Sequence, residues 1–231
     1  MMRLLNAIAT RLILFIGRTK WGVTAVILPF IVQRFGPFGA FIWLARNLPP
    51  YEKAIVDIGP IRANLIFAAA SLLNGCSYCT YAHGRAFELY YFEKFGKLFP
   101  LDDHELISLI PLTDDAVRER LESALIDAEL VDEVRVFRRL YSLKLEGAKS
   151  TDSHEDRILM HAIKMYDDLN FCAIDSQSAL DDAHDRVNRD TILKERYAEA
   201  RLAAGRRDVT IDDIRAVDEA PREPPGTPDI P

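Results

Sequence analysis

Two cysteines and a histidine lie close together in the segment LNGCSYCTYAHGRAF, residues 73–87. Cys76 and Cys79 are separated by two residues, and His83 follows Cys79 by four. A free thiol with a pKa of about 8.5 is mostly protonated at neutral pH, and a nearby imidazole can accept its proton. A second thiol in the same helical turn can convert a sulfenic acid or a mixed disulfide into an internal disulfide. The spacing therefore predicts dithiol redox chemistry.

Three other interpretations apply to the same cluster. A structural zinc site needs four ligands, and this segment offers three, so the fourth would have to come from a distant residue such as His104. Covalent haem attachment requires a histidine directly after the second cysteine, where this chain has Thr80. The third interpretation is an inert buried pair of thiols. We expect neither a metal nor a cofactor at this site.

These side chains can act together only if one helix carries them. Asn74 and Gly75 are typical of a turn. A helix that starts at residue 76 would place positions 76, 79, 83, 86 and 90 on one face, so both thiols and the imidazole would face the same space. The N-terminus of such a helix would also favour the thiolate at position 76.

The segment LNGCSYCTYAH resembles the signature of the alkylhydroperoxidase D family, within the carboxymuconolactone decarboxylase-like superfamily. The resemblance covers about residues 59–95 and depends on the Asn-Gly pair, both cysteines and the histidine. It implies an all-helical, oligomeric protein whose dithiol reduces peroxides or cycles through a disulfide with a partner reductant. It also implies that Cys79 is the attacking thiolate, that Cys76 resolves the intermediate and that His83 belongs to a proton relay. The decarboxylase branch generally lacks the cysteine pair, so the pair favours redox over lactone chemistry.

One position departs from the family pattern. The family usually has a glutamate twelve residues before the first cysteine, where this chain has Asn64. Asparagine can hydrogen-bond and hold a water molecule, but it cannot accept a proton at neutral pH. Asn64 is either a relay position that lacks the relay group or a residue that satisfies backbone groups in an apolar helix. Glu88 is expected to project away from the thiols, so it would be a poor substitute for the missing carboxylate.

The remaining sequence predicts helices. Apolar residues recur three and four apart over 114–130 and 131–147, and alternation with a period of two between hairpin turns is absent. Proline and serine at expected helix starts, and glycine at expected helix ends, mark boundaries at Pro60, Ser153, Gly147 and Gly205. The fold class is therefore predicted to be all-α.

Charge is distributed unevenly along the 231 residues, whose formal net charge is −6. Residues 1–50 contain six basic residues and no acidic residue, and the remaining residues carry 23 basic and 35 acidic groups. The arginine pairs of this second part lie among acids, which argues against a nucleic-acid surface. Three cysteines are too few for a disulfide scaffold, so a reducing compartment, the cytoplasm, is expected.

The first 50 residues are also the most apolar part of the chain. A secretory signal is not expected, because Arg18 and Lys20 follow the run LILFIG at once and no small-residue cleavage pattern follows. The longest charge-free run, residues 21–33, is shorter than the ~20 residues that a membrane-spanning helix needs. Two interpretations stay open. The segment forms apolar helices packed into the core or an oligomer, or it contacts a membrane peripherally through anionic lipids.

Three parts are expected along the chain. Residues 1–50 form the apolar, basic helical segment, and residues 51–217 form a helical domain of the alkylhydroperoxidase D-like type. Residues 218–231 are rich in proline and lack apolar periodicity, which predicts a disordered tail.

The residues outside the cluster favour structural roles. His161 is expected to be a hydrogen-bonded core residue, and Cys172 is expected to be a small buried hydrophobe. His104 and His154 lie near helix starts among acids and are expected to be solvated. None of the four is expected to belong to the site.

The sequence therefore favours an enzyme, a thiol-dependent oxidoreductase in which Cys76 and Cys79 cycle between dithiol and disulfide and His83 relays a proton. Its expected partners are a peroxide or disulfide substrate, a dithiol reductant and further copies of the same chain. Two alternatives remain. One is a non-catalytic helical interaction protein with a vestigial dithiol, and the other is a non-redox enzyme of the superfamily in which His83 acts as a general base.

Overall fold

The structure, a computed structural model, describes residues 2–177, 180 and 182–222. The described chain forms α-helices joined by turns, and these residues contain no strand. The helices are α1 (Met2–Trp21), α2 (Leu28–Ile58), α3 (Pro60–Asn74), α4 (Ser77–Phe95), α5 (Asp103–Ser108), α6 (Asp114–Asp127), α7 (Val131–Lys144), α8 (His154–Asp175), α9 (Thr191–Ala203) and α10 (Ile211–Glu219), with a 3₁₀ turn (Arg186–Arg189) before α9. The all-α fold class predicted from the sequence is confirmed.

Helices α3 and α4 form a hairpin at the centre of the molecule. Residues 63–73 of α3 are all buried, and α4 buries its one thiol and most of its aromatic side chains. Helices α2, α7 and α8 pack on α3, while α5, α9 and α10 pack on α4. Burial of apolar surface, at roughly 25 cal/mol per Å², holds this hairpin in place.

The first two helices pack against each other and against the central hairpin. α1 lies along α2, and α2 contacts α3 and α8. Gly36, with φ 71° and ψ 171°, interrupts α2, and Pro37 begins its second part. α2 continues across residue 50, so the expected boundary between the first two parts of the chain falls inside a helix.

Among the described residues, α2 is the one helix that is long and apolar enough to cross a membrane, judged by length and composition alone. Its most apolar 18-residue window has a mean hydropathy of 1.3. Buried core helices of soluble proteins pass the same test. α1 buries Ala9 and Ile13 and leaves an apolar stripe exposed on its other face. The stripe consists of Leu4, Ile8, Leu12 and Phe15.

The predicted helix starts are confirmed. α3 begins at Pro60, and α8 begins directly after Ser153, whose Oγ accepts a hydrogen bond from the N–H of Asp156 at 3.0 Å. The Asp156 carboxylate does not complete a capping box, because it pairs with Arg139 at 2.6 Å.

Helix ends and the tail agree with the sequence only in part. Gly147 and Gly205 have φ values of 69° and 72° and follow the ends of α7 and α9 by three and two residues. The expected disordered tail begins inside α10, which continues to Glu219. Residues 223–231 of that tail lie outside the described residues.

A buried ionic cluster lies on the face of α4 opposite Cys79. Tyr197 donates a hydrogen bond to the Glu88 carboxylate, and Arg201 lies 3.5 Å from the same carboxylate. Arg201 and Arg85 each donate to Asp103 at 2.8 Å. Glu88 therefore projects away from the thiols, as the sequence predicted, and belongs to the packing of α9 on α4.

The Glu88 carboxyl should make stability depend on pH. Burial, followed by the charge of Asp103, raises the pKa of Glu88 from its ordinary 4.5 to about 8. A raised folded-state pKa gives a contribution that is fully present below the ordinary value and is lost as the pH rises through the folded value. Between about pH 5 and about pH 8, wild type should lose up to about 1.4 kcal/mol per pH unit relative to Glu88→Gln.

The measurement is the free energy of unfolding from denaturant titrations across this range. Glu119→Gln is the matched control, because Glu119 is exposed and makes the same change of charge on the surface. Parallel pH curves for wild type and Glu88→Gln would show that Glu88 ionises normally.

Candidate functional site

The turn between α3 and α4 places the first cysteine at a helix start. α3 ends at Asn74, and Gly75 takes the left-handed conformation with φ 73° and ψ 31°. The N–H of Gly75 donates a hydrogen bond to the Leu72 carbonyl, and the N–H of Cys76 donates to the Ser71 carbonyl at 3.0 Å. This pairing of backbone groups closes α3 and directs the chain at once into α4.

Cys76 is the N-cap of α4, so the helix starts one residue later than the sequence predicted. Its Sγ accepts a hydrogen bond from the N–H of Cys79 at 3.4 Å. Both cysteines are free thiols, with exposed fractions of 1% and 2%. The predicted proximity of the two residues at one helix start is present, with Cys76 capping the turn that carries Cys79.

His83 lies one turn further along α4 and uses both ring nitrogens. Its Nδ1 is 3.1 Å from Asn64 Oδ1, and its Nε2 is 2.6 Å from the hydroxyl of Tyr166 on α8. Burial, followed by the nearby His184, lowers the pKa of His83 well below its ordinary value. His83 is therefore a neutral imidazole at neutral pH, which is the form that can accept a proton.

Asn64 contacts both a backbone group and the site. Its Nδ2 donates to the carbonyl of Pro60 at 3.0 Å, which satisfies a backbone group in the first turn of α3. The same Nδ2 donates to Asp185 Oδ2 at 3.0 Å, while Oδ1 faces His83. Asn64 thus connects His83 to a carboxylate from a distant part of the chain.

Asp185 is 1% exposed and lies at the start of the 3₁₀ turn. Its Oδ1 accepts from the hydroxyl of Tyr90 at 2.5 Å and from the N–H of Val187 at 3.3 Å. Tyr90 is the last member of the predicted α4 face, so this face extends from the thiols to Asp185. The carboxylate accepts hydrogen bonds from three donors, including Asn64.

Aromatic side chains enclose this polar network. Phe67 stacks on Tyr51 and on Tyr166, with ring centroids 4.8 and 5.3 Å apart. The Tyr51 hydroxyl donates to the His184 carbonyl at 3.0 Å, and the Tyr78 hydroxyl is 3.0 Å from His184 Nε2. Aromatic side chains from α2, α3, α4 and α8 therefore surround the network.

Two openings reach the network from different sides. A cavity of about 50 Å³ lies among α2, α8 and the segment between α1 and α2, and it contacts His83, Tyr166 and His184. A cleft of about 320 Å³ contacts Tyr90 and Asp185. His83 thus lines the small cavity, and Asp185, at the other end of the network, lines the cleft.

Sequence analysis missed Tyr166, His184 and Asp185. Tyr166 has the spacing of a core residue on α8, which it also is. Asp185 caps the N–H of Val187, so its local pattern indicates only a turn. No spacing rule connects residues 64 and 185, and only the packing of the 3₁₀ turn on α4 brings them together.

The other candidates lie where the sequence placed them. Cys172 is buried, so that prediction is confirmed. His161 has the predicted hydrogen-bond contact, with Nε2 3.2 Å from a backbone carbonyl, but it is only half-buried and lies at the edge of the core. His104 lies at the surface beside Asp213, and His154 is half-exposed. Within the part of the chain that the structure describes, no group of three or more His, Cys, Asp or Glu could hold a metal ion.

Comparison with known proteins gives no relative for this chain. No protein-family model, no curated protein and no solved structure matches it. The resemblance of the segment around the two cysteines to the alkylhydroperoxidase D family accordingly stays a prediction.

The C-terminal helix α10 covers the start of α4. Asp218 hydrogen-bonds to Ser77, and the guanidinium of Arg222 lies so close to Gly75 that a Cβ there would collide with it. Both sequence neighbours of Cys76 are therefore covered by the C-terminal segment. Ile214 anchors α10 with its buried side chain.

Undocking α10 should expose the dithiol. Ile214→Asp places a charge in the apolar contact, so we expect faster alkylation of Cys76 and Cys79 by iodoacetamide than in wild type, measured by peptide mass spectrometry. Arg215→Asp, on the exposed face of α10, is the matched control, and Cys172 on α8 is the internal reference. Unchanged rates in a folded Ile214→Asp protein would mean that α10 does not limit access to the thiols.

Proposed function

We propose that this protein is a thiol-dependent oxidoreductase that cycles Cys76 and Cys79 between dithiol and disulfide. The observation that carries the proposal is the start of α4. The Sγ of Cys76 lies 3.4 Å from the N–H nitrogen of Cys79, and His83 follows on the next turn. The first turn of one helix carries both cysteines, so a disulfide between them can form without a change of fold. A peroxide or a disulfide is the substrate, and a dithiol reductant restores the reduced form.

With a hydroperoxide, the thiolate of Cys79 attacks the terminal oxygen and the O–O bond breaks. The sulfur is oxidised to a sulfenic acid, and the peroxide leaves as an alkoxide that takes a proton and becomes an alcohol. The thiol of Cys76 then attacks the sulfenic sulfur, which forms the disulfide and releases water. The reductant gives two electrons and two protons and becomes a disulfide itself.

His83 is the base of this cycle. Because its pKa is lowered by burial and by His184, it is neutral at neutral pH and can accept the thiol proton. The resulting imidazolium then returns the proton to the alkoxide. The assignment of Cys79 as the attacking thiol follows the resemblance to the alkylhydroperoxidase D family. The fold proposed for this chain is of the same type, and the turn from α3 into α4 is the part that supports it.

The protein acts in the cytoplasm as an oligomer of identical chains. Three free, buried thiols suit a reducing compartment. The exposed apolar stripe on α1, defined above, supports self-association, since it leaves large apolar side chains in water. Basic residues flank the stripe in sequence. The same surface could therefore bind an anionic membrane, which is the alternative to self-association.

A second candidate function is a non-catalytic interaction protein that keeps the fold and an unused dithiol. The burial of both thiols, at 1% and 2% exposed, favours this alternative, because a substrate must reach sulfur to react. The two functions differ in one property, the reversible oxidation of the pair by peroxide.

The dithiol should oxidise reversibly. Treatment with one equivalent of hydroperoxide should lower the mass of the peptide that holds both cysteines by about 2 Da, and a dithiol reductant should reverse the change. Cys76→Ser should stop at the sulfenic acid, and Cys79→Ser should not react with peroxide. Cys172→Ser is the matched control and should cycle like wild type. If both thiols stay reduced throughout, the oxidoreductase proposal is wrong and the non-catalytic interaction protein is favoured.

Self-association should depend on the α1 stripe. Light scattering without detergent should give a mass above one subunit for wild type, and Leu12→Glu with Phe15→Glu should lower it by burying charge in the interface. Ala7→Glu adds a charge at an exposed residue outside the stripe and serves as the control. A monomeric wild type, or one that is soluble only with lipid, would favour the membrane contact.

A further inference from the structure

We propose that Asp185 fixes the tautomer of His83 through Asn64, and that the hydroxyl of Tyr166 is the group through which His83 exchanges protons with the dithiol. The second half rests on the proposed function, while the first half holds for any use of His83. Asp185 is then a positioning residue, 121 positions from Asn64. Tyr166 is a proton carrier supplied by α8.

The hydrogen-bond partners of Asn64 fix the orientation of its amide. Its Nδ2 lies 3.0 Å from two oxygens, the Pro60 carbonyl and Asp185 Oδ2. Both of these oxygens accept hydrogen bonds, so they require an N–H₂ group at that position. A flipped amide would place its own oxygen against two acceptors in a buried site. Asp185 cannot turn away, because Tyr90 and the N–H of Val187 hold its other oxygen.

The orientation of the amide decides the tautomer of the imidazole. Asn64 Oδ1 faces His83 Nδ1 at 3.1 Å, and an amide oxygen only accepts. His83 Nδ1 must therefore carry the hydrogen, which leaves the lone pair of the neutral ring on Nε2. Nε2 lies 2.6 Å from the Tyr166 hydroxyl, which accordingly donates to it. A carboxylate two hydrogen bonds away thus selects which nitrogen is basic.

The proposed proton path enters the network at Tyr166. The basic Nε2 of His83 faces the Tyr166 hydroxyl, so a proton that reaches this nitrogen arrives through that oxygen. The Cys79 thiol transfers its proton to the Tyr166 oxygen while the original hydroxyl proton moves to Nε2. The products are a Cys79 thiolate, an unchanged tyrosine and a His83 imidazolium whose Nδ1–H stays on Asn64.

Tyr166 suits this role because it stays a neutral hydroxyl. Burial raises the pKa of Tyr166 well above its ordinary value, and Tyr51 and the thiolate forms of Cys79 and Cys76 raise it further. The geometry agrees, because Cys79 lies one turn before His83 on α4 and the hydroxyl of Tyr166 contacts Nε2 of that imidazole. Asn64 blocks a further transfer to Asp185, because an amide does not carry protons at neutral pH. Asp185 acts only by orientation and charge.

Nitrogen-15 NMR of the full-length, histidine-labelled protein tests the first half. Wild type at neutral pH should show His83 with hydrogen on Nδ1. Asp185→Asn removes one of the two acceptors that orient the amide, so the Nε2–H tautomer should appear beside the Nδ1–H tautomer. The isosteric exchange Asn64→Asp with Asp185→Asn should restore Nδ1–H and raise the pKa of His83, because the carboxylate now contacts the ring directly.

Asp182→Asn is the matched control, since it removes the same charge from the same segment without contacting this network. Wild type with hydrogen on Nε2, or an Asp185→Asn protein that folds and keeps the wild-type tautomer, would overturn the role of Asp185. Restoration of Nδ1–H in the double variant shows that the acceptor at position 64 sets the tautomer.

Alkylation of Cys79 as a function of pH tests the second half. Tyr166→Phe keeps the ring contacts and removes the hydroxyl, so the rate at neutral pH should fall by about 10²-fold or more, while the rates converge at high pH. Unchanged rates in a folded Tyr166→Phe protein would overturn the proton path. Failure of wild type to form a disulfide would remove the proposed function, yet the NMR result would still decide the role of Asp185.

Discussion

The buried imidazole of His83 is the constraint on which the rest of the site depends. Both ring nitrogens are hydrogen-bonded, and the ring is only 3% exposed. Leaving either nitrogen unpaired in such an environment would cost about 1–3 kcal/mol. Three elements meet at this ring: α3 through Asn64, α4 itself and α8 through Tyr166. The position of the ring therefore fixes how these helices pack.

The same constraint explains why a distant segment joins the site. Asn64 satisfies His83 with its oxygen, and its N–H₂ group then needs acceptors of its own, which Pro60 and Asp185 supply. Asp185 in turn needs donors for its second oxygen and finds Tyr90 on α4. Each buried polar group needs a hydrogen-bond partner, and that partner is itself a buried polar group. The chain of hydrogen bonds therefore continues as far as the cleft beside Asp185.

The local parts of this site were predictable from the sequence, because they follow from rules of short range. The turn at Gly75, the start of α3 at Pro60 and the placement of Cys79 and His83 on one face of α4 depend on residues a few positions apart. The contributions of Tyr166 and Asp185 depend on packing between segments about 80 to 120 residues apart, for which a single sequence carries no signal. The break at Gly36 also has a local signal, because Pro37 follows it directly and Gln33 and Arg34 precede it.

The central claim is that His83 is the base for the dithiol, and the rate of Cys79 alkylation against pH in His83→Ala tests it most directly. If His83 accepts the thiol proton, the mutant should react more slowly than wild type near neutral pH and reach the wild-type rate at high pH, where the thiol ionises without help. His161→Ala, which removes an imidazole outside the network, should behave like wild type. Coincident curves for wild type and a folded His83→Ala protein would contradict the claim.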